Sequence, residues 1–177
     1  GGRGAPHGCC TTRPLRGSTI GGAGGLVTEA AAALCVEHPR LELQIVALPR
    51  TFSLSQREAD FAVVITPPAA GRLKIRKITD YSLRLYGHPD YLKGRELRGT
   101  EDLKDHRLVG YVPDLIFDKG LDYLAEIGAT GAPALSSTSL LVQLELVLAG
   151  GGLGVLPDFM AARHPVLRPV LPEVTRI

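Results

Sequence analysis

The sequence predicts an α/β protein with two α/β lobes joined by two crossover strands. Strand patterns of five to eight residues alternate with helical patterns along the chain, which favours sheets covered by helices. One run, Phe61–Ile65, is apolar throughout, as is typical of a strand covered on both faces of a parallel sheet. Two further segments, 72–79 and 164–171, have the pattern of extended connections, and together they divide the chain into two halves.

The first half of the chain predicts helix, strand, helix and strand in order. Apolar side chains on one face predict a helix over 26–37, and His38-Pro39 ends it because a residue before proline avoids helical geometry. Residues 41–48 predict a strand that Pro49 ends. A polar turn or short helix at 53–58 then leads to the strand Phe61–Ile65.

The second half predicts strands at 81–86, 107–111, 133–136 and 153–156 and short helices at 100–105, 118–127 and 157–163. Thr100 is the expected N-cap of the first of these helices. Between the last two strands, Ser137 or Thr138 is expected to cap a helix over 139–149 that is apolar nearly all round. Such a helix is predicted to be buried on several sides.

Residues 1–25 contain nine glycines and show neither helix nor strand periodicity, so the sequence predicts an irregular segment there. The predicted lobe I comprises 26–71 plus 164–177, and the predicted lobe II comprises 80–163. The glycine run 150–154 follows a helix and precedes a strand, which is the reverse of the order in a nucleotide-binding loop. It therefore indicates a helix stop followed by tight packing.

Composition argues against several classes of function. The net charge is +2 and the cations are scattered, whereas a nucleic-acid-binding domain usually carries a clustered basic patch. No apolar run approaches the roughly 20 residues of a membrane span, and the sequence starts with no pattern of an export signal. The three cysteines, Cys9, Cys10 and Cys35, have no metal-binding spacing and favour a reducing cytoplasm.

Candidate ligand-binding residues lie where predicted strands end and helices begin, because backbone N–H groups and small hydroxyls at such points can hold a carboxylate or similar anion. They are Arg50, Thr51, Ser53, Thr66, Tyr111, Pro113, Ser137 and Thr138. The hydroxyls of Ser137 and Thr138, and likewise those of Thr51 and Ser53, also have a simpler explanation as caps of the next helix or turn. Arg50 has a simpler explanation as a solvated surface residue. We expect no metal, no cofactor and no catalytic residue, since neither an HExxH nor a GxSxG pattern occurs.

Several segments, in order, resemble the effector-binding domain of LysR-type transcriptional regulators. The most specific are Glu58–Val64, His88–Leu92, Glu101–Leu103 and Ala149–Pro157, followed by a closing crossover at Leu167–Pro172. The resemblance covers about Leu26 to Pro172. It also aligns Thr51 and Ser53 with the family's polar loop after the second strand, and Thr66 with the position after the third.

The resemblance implies a periplasmic-binding-protein type II-like fold that binds a small effector between its lobes, and the strand-end residues named above favour an anionic one. It also implies a homodimer or homotetramer in the bacterial cytoplasm that reaches DNA only through an N-terminal helix-turn-helix domain absent from this chain, with no membrane association. An exported solute-binding protein of a transporter would share the fold and is the alternative. An enzyme on the same scaffold is the third hypothesis.

Overall fold

The computed structural model describes residues 15–19, 24–47, 60–64, 74–116, 119–173 and 175, which form two β-sheets and the helices around them. The strands are β1 Leu15–Thr19, β2 Leu43–Ala47, β3 Phe61–Val63, β4 Leu83–Gly87, β5 Leu108–Gly110, β6 Leu135–Ser136, β7 Leu153–Pro157 and β8 Arg168–Pro169. The α-helices are α1 Gly24–Glu37, α2 Pro89–Leu92, α3 Tyr123–Glu126, α4 Leu140–Leu148 and α5 Asp158–Ala161. A two-turn 3₁₀ helix spans Thr100–Asp105, and single 3₁₀ turns span Pro113–Leu115 and Lys119–Leu121.

The first sheet has three parallel strands in the order β2-β1-β3, and α1 connects the central strand to β2. The helix predicted over 26–37 and the strand predicted over 41–48 are therefore confirmed. The strand predicted at Phe61–Ile65 is present as β3, but its residues are only half-buried and Val64 after it is exposed.

The prediction that residues 1–25 contain no strand is wrong for Leu15–Thr19, which form the central strand of this sheet. The segment was hard to recognise because one apolar residue is followed by arginine, glycine, serine and threonine. Gly17 leaves room for the Phe61 ring, since a Cβ atom there would overlap Cζ of that ring and the ring would have to move. The glycine that weakens the strand pattern thus lets β3 pack beside β1.

The second sheet has five strands in the order β6-β5-β7-β4-β8. β5 runs parallel to β6 and β7, whereas β4 runs antiparallel to β7 and β8. All four strands predicted in the second half of the chain are present, and β7 is buried along its whole length. The core lies against this sheet, with fully buried side chains such as Leu85, Leu103, Leu153 and Leu156.

The two segments predicted as crossovers differ in how they pack against the rest of the structure. Residues 74–80 have no regular structure and are exposed. In 164–171, by contrast, β8 pairs with β4, Leu167 is buried and the Val170 amide donates to the Leu85 carbonyl at 2.8 Å. This second segment is therefore packed into the five-stranded sheet before the chain continues.

Helix α4 is less buried than its sequence predicts. Leu140, Leu144 and Val147 are buried, but Leu141 and Val142 are 63% and 46% exposed. The expectation that the helix is covered on several sides is therefore wrong among the described residues, because only one face packs on the sheet. The polar Gln143 is only 2% exposed. The buried face of α4 therefore includes a polar side chain, while its exposed face includes apolar ones.

Two other helices differ from their predictions in how they begin. The N-cap of the 3₁₀ helix Thr100–Asp105 is Gly99 and not Thr100, and the Asp102 carboxylate accepts hydrogen bonds from the Arg98 and Gly99 amides. In the 118–127 region, the Lys119–Leu121 turn precedes α3, and Asp122 caps α3 by accepting from the Ala125 amide.

Polar side-chain contacts connect β4 of the second sheet to the first residue of α5. The Tyr86 hydroxyl donates to Asp158 at 2.8 Å, and Arg84 pairs with the same carboxylate at 3.2 Å. Burial, reinforced by this hydrogen bond, raises the pKa of Tyr86 to about 12. Arg163, after α5, forms an ion pair with Glu29 of α1 and so links the two sheet units.

Replacing Leu85 by alanine tests the position of the core. Leu85 is fully buried in β4, and Leu115, the control, is 58% exposed. We expect Leu85→Ala to lower the free energy of unfolding by about 2–5 kcal/mol through lost burial and a residual cavity. We expect Leu115→Ala to change it by less than about 0.5 kcal/mol. Urea unfolding followed by circular dichroism measures both, and equal effects would contradict this core.

Candidate ligand-binding site

Four of the predicted site residues lie together at one edge of the second sheet. Strands β5 and β6 are parallel and in register, with Gly110 opposite Ser136. Tyr111 and Pro113 therefore follow the end of one strand, and Ser137 and Thr138 follow the end of its neighbour. The carboxyl edge of a parallel sheet is where ligands commonly bind in open α/β folds.

The loop between β6 and α4 is fixed by hydrogen bonds centred on Ser137. Its amide donates to the Gly110 carbonyl at 3.0 Å, which extends the β5–β6 ladder by one bond. Its hydroxyl accepts from the Ser139 amide at 3.1 Å, and its carbonyl accepts from Nε2 of Gln143 at 2.8 Å. The buried Gln143 side chain thus ties the first turns of α4 to the sheet edge.

The simpler explanation, that Ser137 and Thr138 cap α4, is only partly confirmed. The N-cap of α4 is Ser139, whose side chain makes no capping hydrogen bond. The hydroxyl of Ser137 instead orders the residue before the helix, so it has a structural role. No hydrogen bond involves the Thr138 hydroxyl within the described part of the chain, where it remains available to a ligand.

A cavity of about 500 Å³ adjoins this edge. Its wall consists of the end of β5, the two 3₁₀ turns that follow it, α3 and the loop 129–133, with Gln143 of α4 and Val155 of β7 behind them. Tyr111 and Pro113 line the cavity, whereas Ser137 and Thr138 lie outside its lining. The predicted site residues therefore mark two adjoining features, a polar loop and a largely apolar cavity.

Three tyrosines meet beside the cavity. The rings of Tyr111 and Tyr123 pack edge to face with centroids 5.7 Å apart, and the Tyr123 hydroxyl lies near enough to that of Tyr81 to act on its pKa. Burial raises the pKa of Tyr111 to about 12, and the neighbouring Tyr81 adds to this shift. Burial also raises the pKa of Tyr81, against the lowering effect of the Tyr123 hydroxyl. The hydroxyls of Tyr81 and Tyr111 therefore remain protonated at neutral pH.

The other four predicted site residues, Arg50, Thr51, Ser53 and Thr66, lie outside the described residues. The sequence analysis also missed cavity-lining residues, of which Lys119, Asp122, Tyr123 and Gln143 carry polar groups. Gln143 was the most detectable, since it interrupts an otherwise apolar helix face. Lys119 and Tyr123 carried no such signal, because they belong to a region with the ordinary composition of a surface helix.

Two other kinds of functional feature, a metal site and a membrane-spanning helix, are absent from the described residues. No group of three or more histidine, cysteine, aspartate or glutamate side chains is placed to hold a metal ion in the described ranges. Among the helices described above, none has the length and apolar character needed to cross a membrane.

Comparison with solved structures agrees with this architecture. The regulatory domain of CrgA, a LysR-type transcriptional regulator from Neisseria meningitidis, superposes with a TM-score of 0.78 at 23% identity, covering 92% of this chain and 82% of that one. The regulatory domain of AphB from Vibrio vulnificus gives a TM-score of 0.71 at 18% identity over 89% of this chain and 83% of that one. The effector domain of AmpR from Pseudomonas aeruginosa gives 0.67 at 17% identity over 90% and 80%.

The fold is thus that of an α/β ligand-binding domain of the periplasmic-binding-protein type II kind, and the predicted fold class is confirmed. Residues 17–176 match the family described as the LysR substrate binding domain. The chain therefore belongs to that family, as the sequence resemblance indicated.

Curated relatives support the same assignment. The HTH-type transcriptional regulator HdfR of Yersinia pestis is 26% identical over 148 residues, which are 79% of this chain and 49% of that protein. HdfR of Yersinia pseudotuberculosis matches to the same extent. The chain spans about half the length of these relatives.

Substituting Ser137 separates its structural role from any role in binding. We expect Ser137→Ala to lower the free energy of unfolding by about 1 kcal/mol, because the Ser139 amide loses its acceptor. Thr138→Ala is the matched control and should change it by less than about 0.5 kcal/mol. Chemical denaturation without ligand measures both values. A larger loss for Thr138→Ala would show that this account of the loop is wrong.

Proposed function

We propose that the chain is the sensing domain of a LysR-type transcriptional regulator and that a small anionic effector binds at the carboxyl edge of β5 and β6. The observation that carries the proposal is the convergence of Tyr111, Pro113, Ser137 and Thr138 at that edge, directly before α4. The four residues were selected from sequence as ligand-binding candidates. Membership of the LysR substrate-binding family supports the same reading.

The chemistry of the edge favours an anion. The first-turn N–H groups of a helix have no partner inside that helix, and they carry the positive end of its dipole. Helix α4 starts at Leu140 with no acidic residue in its first turn, so this positive end is not neutralised locally. The Thr138 hydroxyl can add a hydrogen bond. Arg50, Thr51, Ser53 and Thr66 are proposed to complete the site from the other lobe.

The effector is proposed to sit between two lobes. Lobe I would contain the three-stranded sheet and lobe II the five-stranded sheet, so lobe I begins by Leu15 rather than at residue 26. The predicted boundaries, 26–71 plus 164–177 for lobe I and 80–163 for lobe II, otherwise remain our division of the chain, except that β8 pairs with β4 and so goes with lobe II. The segments 72–79 and 164–171 would connect the lobes and act as the hinge.

Ligand binding is proposed to favour a closed arrangement of the lobes. An effector can shift such an equilibrium only by its difference in affinity for the open and closed forms. The ion pair between Glu29 and Arg163 already links the two sheet units, and closure would act on this contact. The resulting change would pass to an N-terminal DNA-binding domain of the whole protein. We further propose that this protein works in the cytoplasm and that the domain itself is not an enzyme.

The alternative of an exported solute-binding protein shares the fold but receives less support. The family match is to a domain of LysR-type proteins, and the curated relatives are HTH-type transcriptional regulators. The regulatory hypothesis is therefore preferred.

Thermal-shift measurement of the 177-residue chain tests effector binding. We expect at least one small organic acid to raise Tm, since a ligand at about 100 times its Kd stabilises the folded state by about 2.7 kcal/mol. Thr138→Ala should reduce the shift without lowering Tm in the absence of ligand. If no acid in a broad panel changes Tm, effector binding at this edge is not supported.

A homodimer is proposed as the working assembly, with the apolar surfaces of α4 and α1 as the contact. Leu141 is 63% exposed on α4, and Val36 is 80% exposed on α1. Apolar side chains this exposed on two helices are typical of surfaces covered by a partner. A homotetramer would need a second contact that these surfaces do not identify.

Replacing Leu141 by glutamate tests this surface. We expect Leu141→Glu to shift the chain toward monomer, because a charge would be desolvated at the contact. Leu115→Glu is the control, since Leu115 is similarly exposed but belongs to the Pro113–Leu115 turn and to neither helix. Sedimentation velocity measures the dissociation constant, for which we expect an increase of about tenfold or more. Equal behaviour of the two variants would exclude α4 as the contact.

A further inference from the structure

The cavity beside β5 has the size of a small-molecule binding site. Its volume of about 500 Å³ lies within the range of about 300–1,000 Å³ found for small-molecule sites. It lies inside the five-stranded sheet unit, so its walls do not depend on how the two lobes are arranged. Apolar side chains form most of the wall, including Val109, Ile116, Leu121, Leu124, Ala129 and Val155.

One polar atom in this wall lacks a partner. The Tyr111 hydroxyl is buried and makes no hydrogen bond to any described residue. A buried donor without an acceptor costs free energy, and such groups in native proteins usually meet a water molecule or a ligand. Because burial keeps Tyr111 protonated at neutral pH, the group can donate to a ligand oxygen.

Of the two charged groups that the described residues place at the cavity, the cation is the one free to pair with a ligand. Lys119 and Asp122 both line the cavity. The Asp122 carboxylate is engaged as the N-cap of α3, where it accepts from the Ala125 amide at 3.4 Å. Lys119 is exposed and forms no ion pair within the described ranges, so its ammonium group is available to a ligand.

We propose that the cavity binds the apolar body of a one- or two-ring carboxylate, whose oxygens accept from the Tyr111 hydroxyl and pair with Lys119. This inference deepens the proposed function and rests on it, because Tyr111 and Pro113 belong to both the edge and the cavity. It adds that the effector is an amphipathic acid, held largely by lobe II, and not a small hydrophilic acid.

Isothermal titration calorimetry with three probes tests the ligand class. The probes are 2-naphthoate, its neutral isostere 2-naphthamide, and malonate as an acid without an apolar body. We expect 2-naphthoate to bind at least tenfold more tightly than malonate, because only its rings fill the apolar cavity. We expect 2-naphthamide to bind about two- to fivefold more weakly than 2-naphthoate, as is usual for loss of an exposed ion pair.

Tyr111→Phe tests the polar anchor with a readout that a purely structural role would not give. The variant should weaken 2-naphthoate binding about tenfold or more, the usual effect of losing a hydrogen bond to a charged group. Its Tm without ligand should not fall, because the hydroxyl has no partner among the described residues. Tyr86→Phe is the matched control, since its hydroxyl bonds Asp158: it should lower Tm and leave 2-naphthoate affinity unchanged.

Two further variants test the charge and the space. Lys119→Met should weaken 2-naphthoate about two- to fivefold and leave 2-naphthamide unchanged. Ala129→Phe should fill the cavity and abolish binding of both naphthyl probes. Ala162→Phe, at an exposed position outside the cavity lining, is its control and should bind both normally.

The outcomes separate the two proposals. If malonate or another hydrophilic acid binds while 2-naphthoate does not, the amphipathic ligand is wrong and effector sensing stands. If 2-naphthoate binds equally well to wild type, Tyr111→Phe and Ala129→Phe, the cavity is not its site. If none of these probes and no acid in the wider panel binds, effector binding fails together with this inference.

Discussion

Strand β7 lies between β5 and β4, and all five of its residues are buried. The chain enters it at Gly152, where a Cβ atom would lie 2.3 Å from the Arg107 carbonyl oxygen. Along the strand, a Cβ atom at Gly154 would lie 2.7 Å from Cγ2 of Val147 on α4. The close contact of β7 with β5 and α4 thus requires residues without side chains, and larger ones would separate the helix from the sheet.

The edge of the sheet at which we propose that a ligand binds depends on this contact. Helix α4 ends in a left-handed turn at Gly150, with a φ of 72°, and the chain can then reverse directly into β7. The helix is held at its other end by the bond from Gln143 to the Ser137 carbonyl. Both ends of α4 are therefore fixed relative to the sheet. The loop before the helix and the cavity behind it consequently occupy defined positions without any bound molecule.

Much of the fold was accessible from sequence because it is encoded by local patterns. Regular spacing of apolar residues identifies the helix over 26–37 and the strands of the second sheet. Glycines mark the end of α4. Strand β1 was missed, since its glycine is explained by a ring 44 positions away, at Phe61, and not by its neighbours. At the candidate site, the residues at the sheet edge could be predicted because they directly follow the ends of predicted strands. The cavity could not be predicted, because it forms where α3 and the turn at Pro113 meet the sheet.

Gln143 has a consequence for any attempt to stabilise the domain. It is the one polar residue on the buried face of α4 within the described chain, and a leucine there would complete the apolar pattern of the helix. Such a change would nevertheless deprive the Ser137 carbonyl of the amide that it accepts from. The helix would gain apolar surface while losing the contact that sets its rotation about its own axis. Selection for thermal stability alone would therefore favour a more stable domain in which the loop before α4 is no longer held in place.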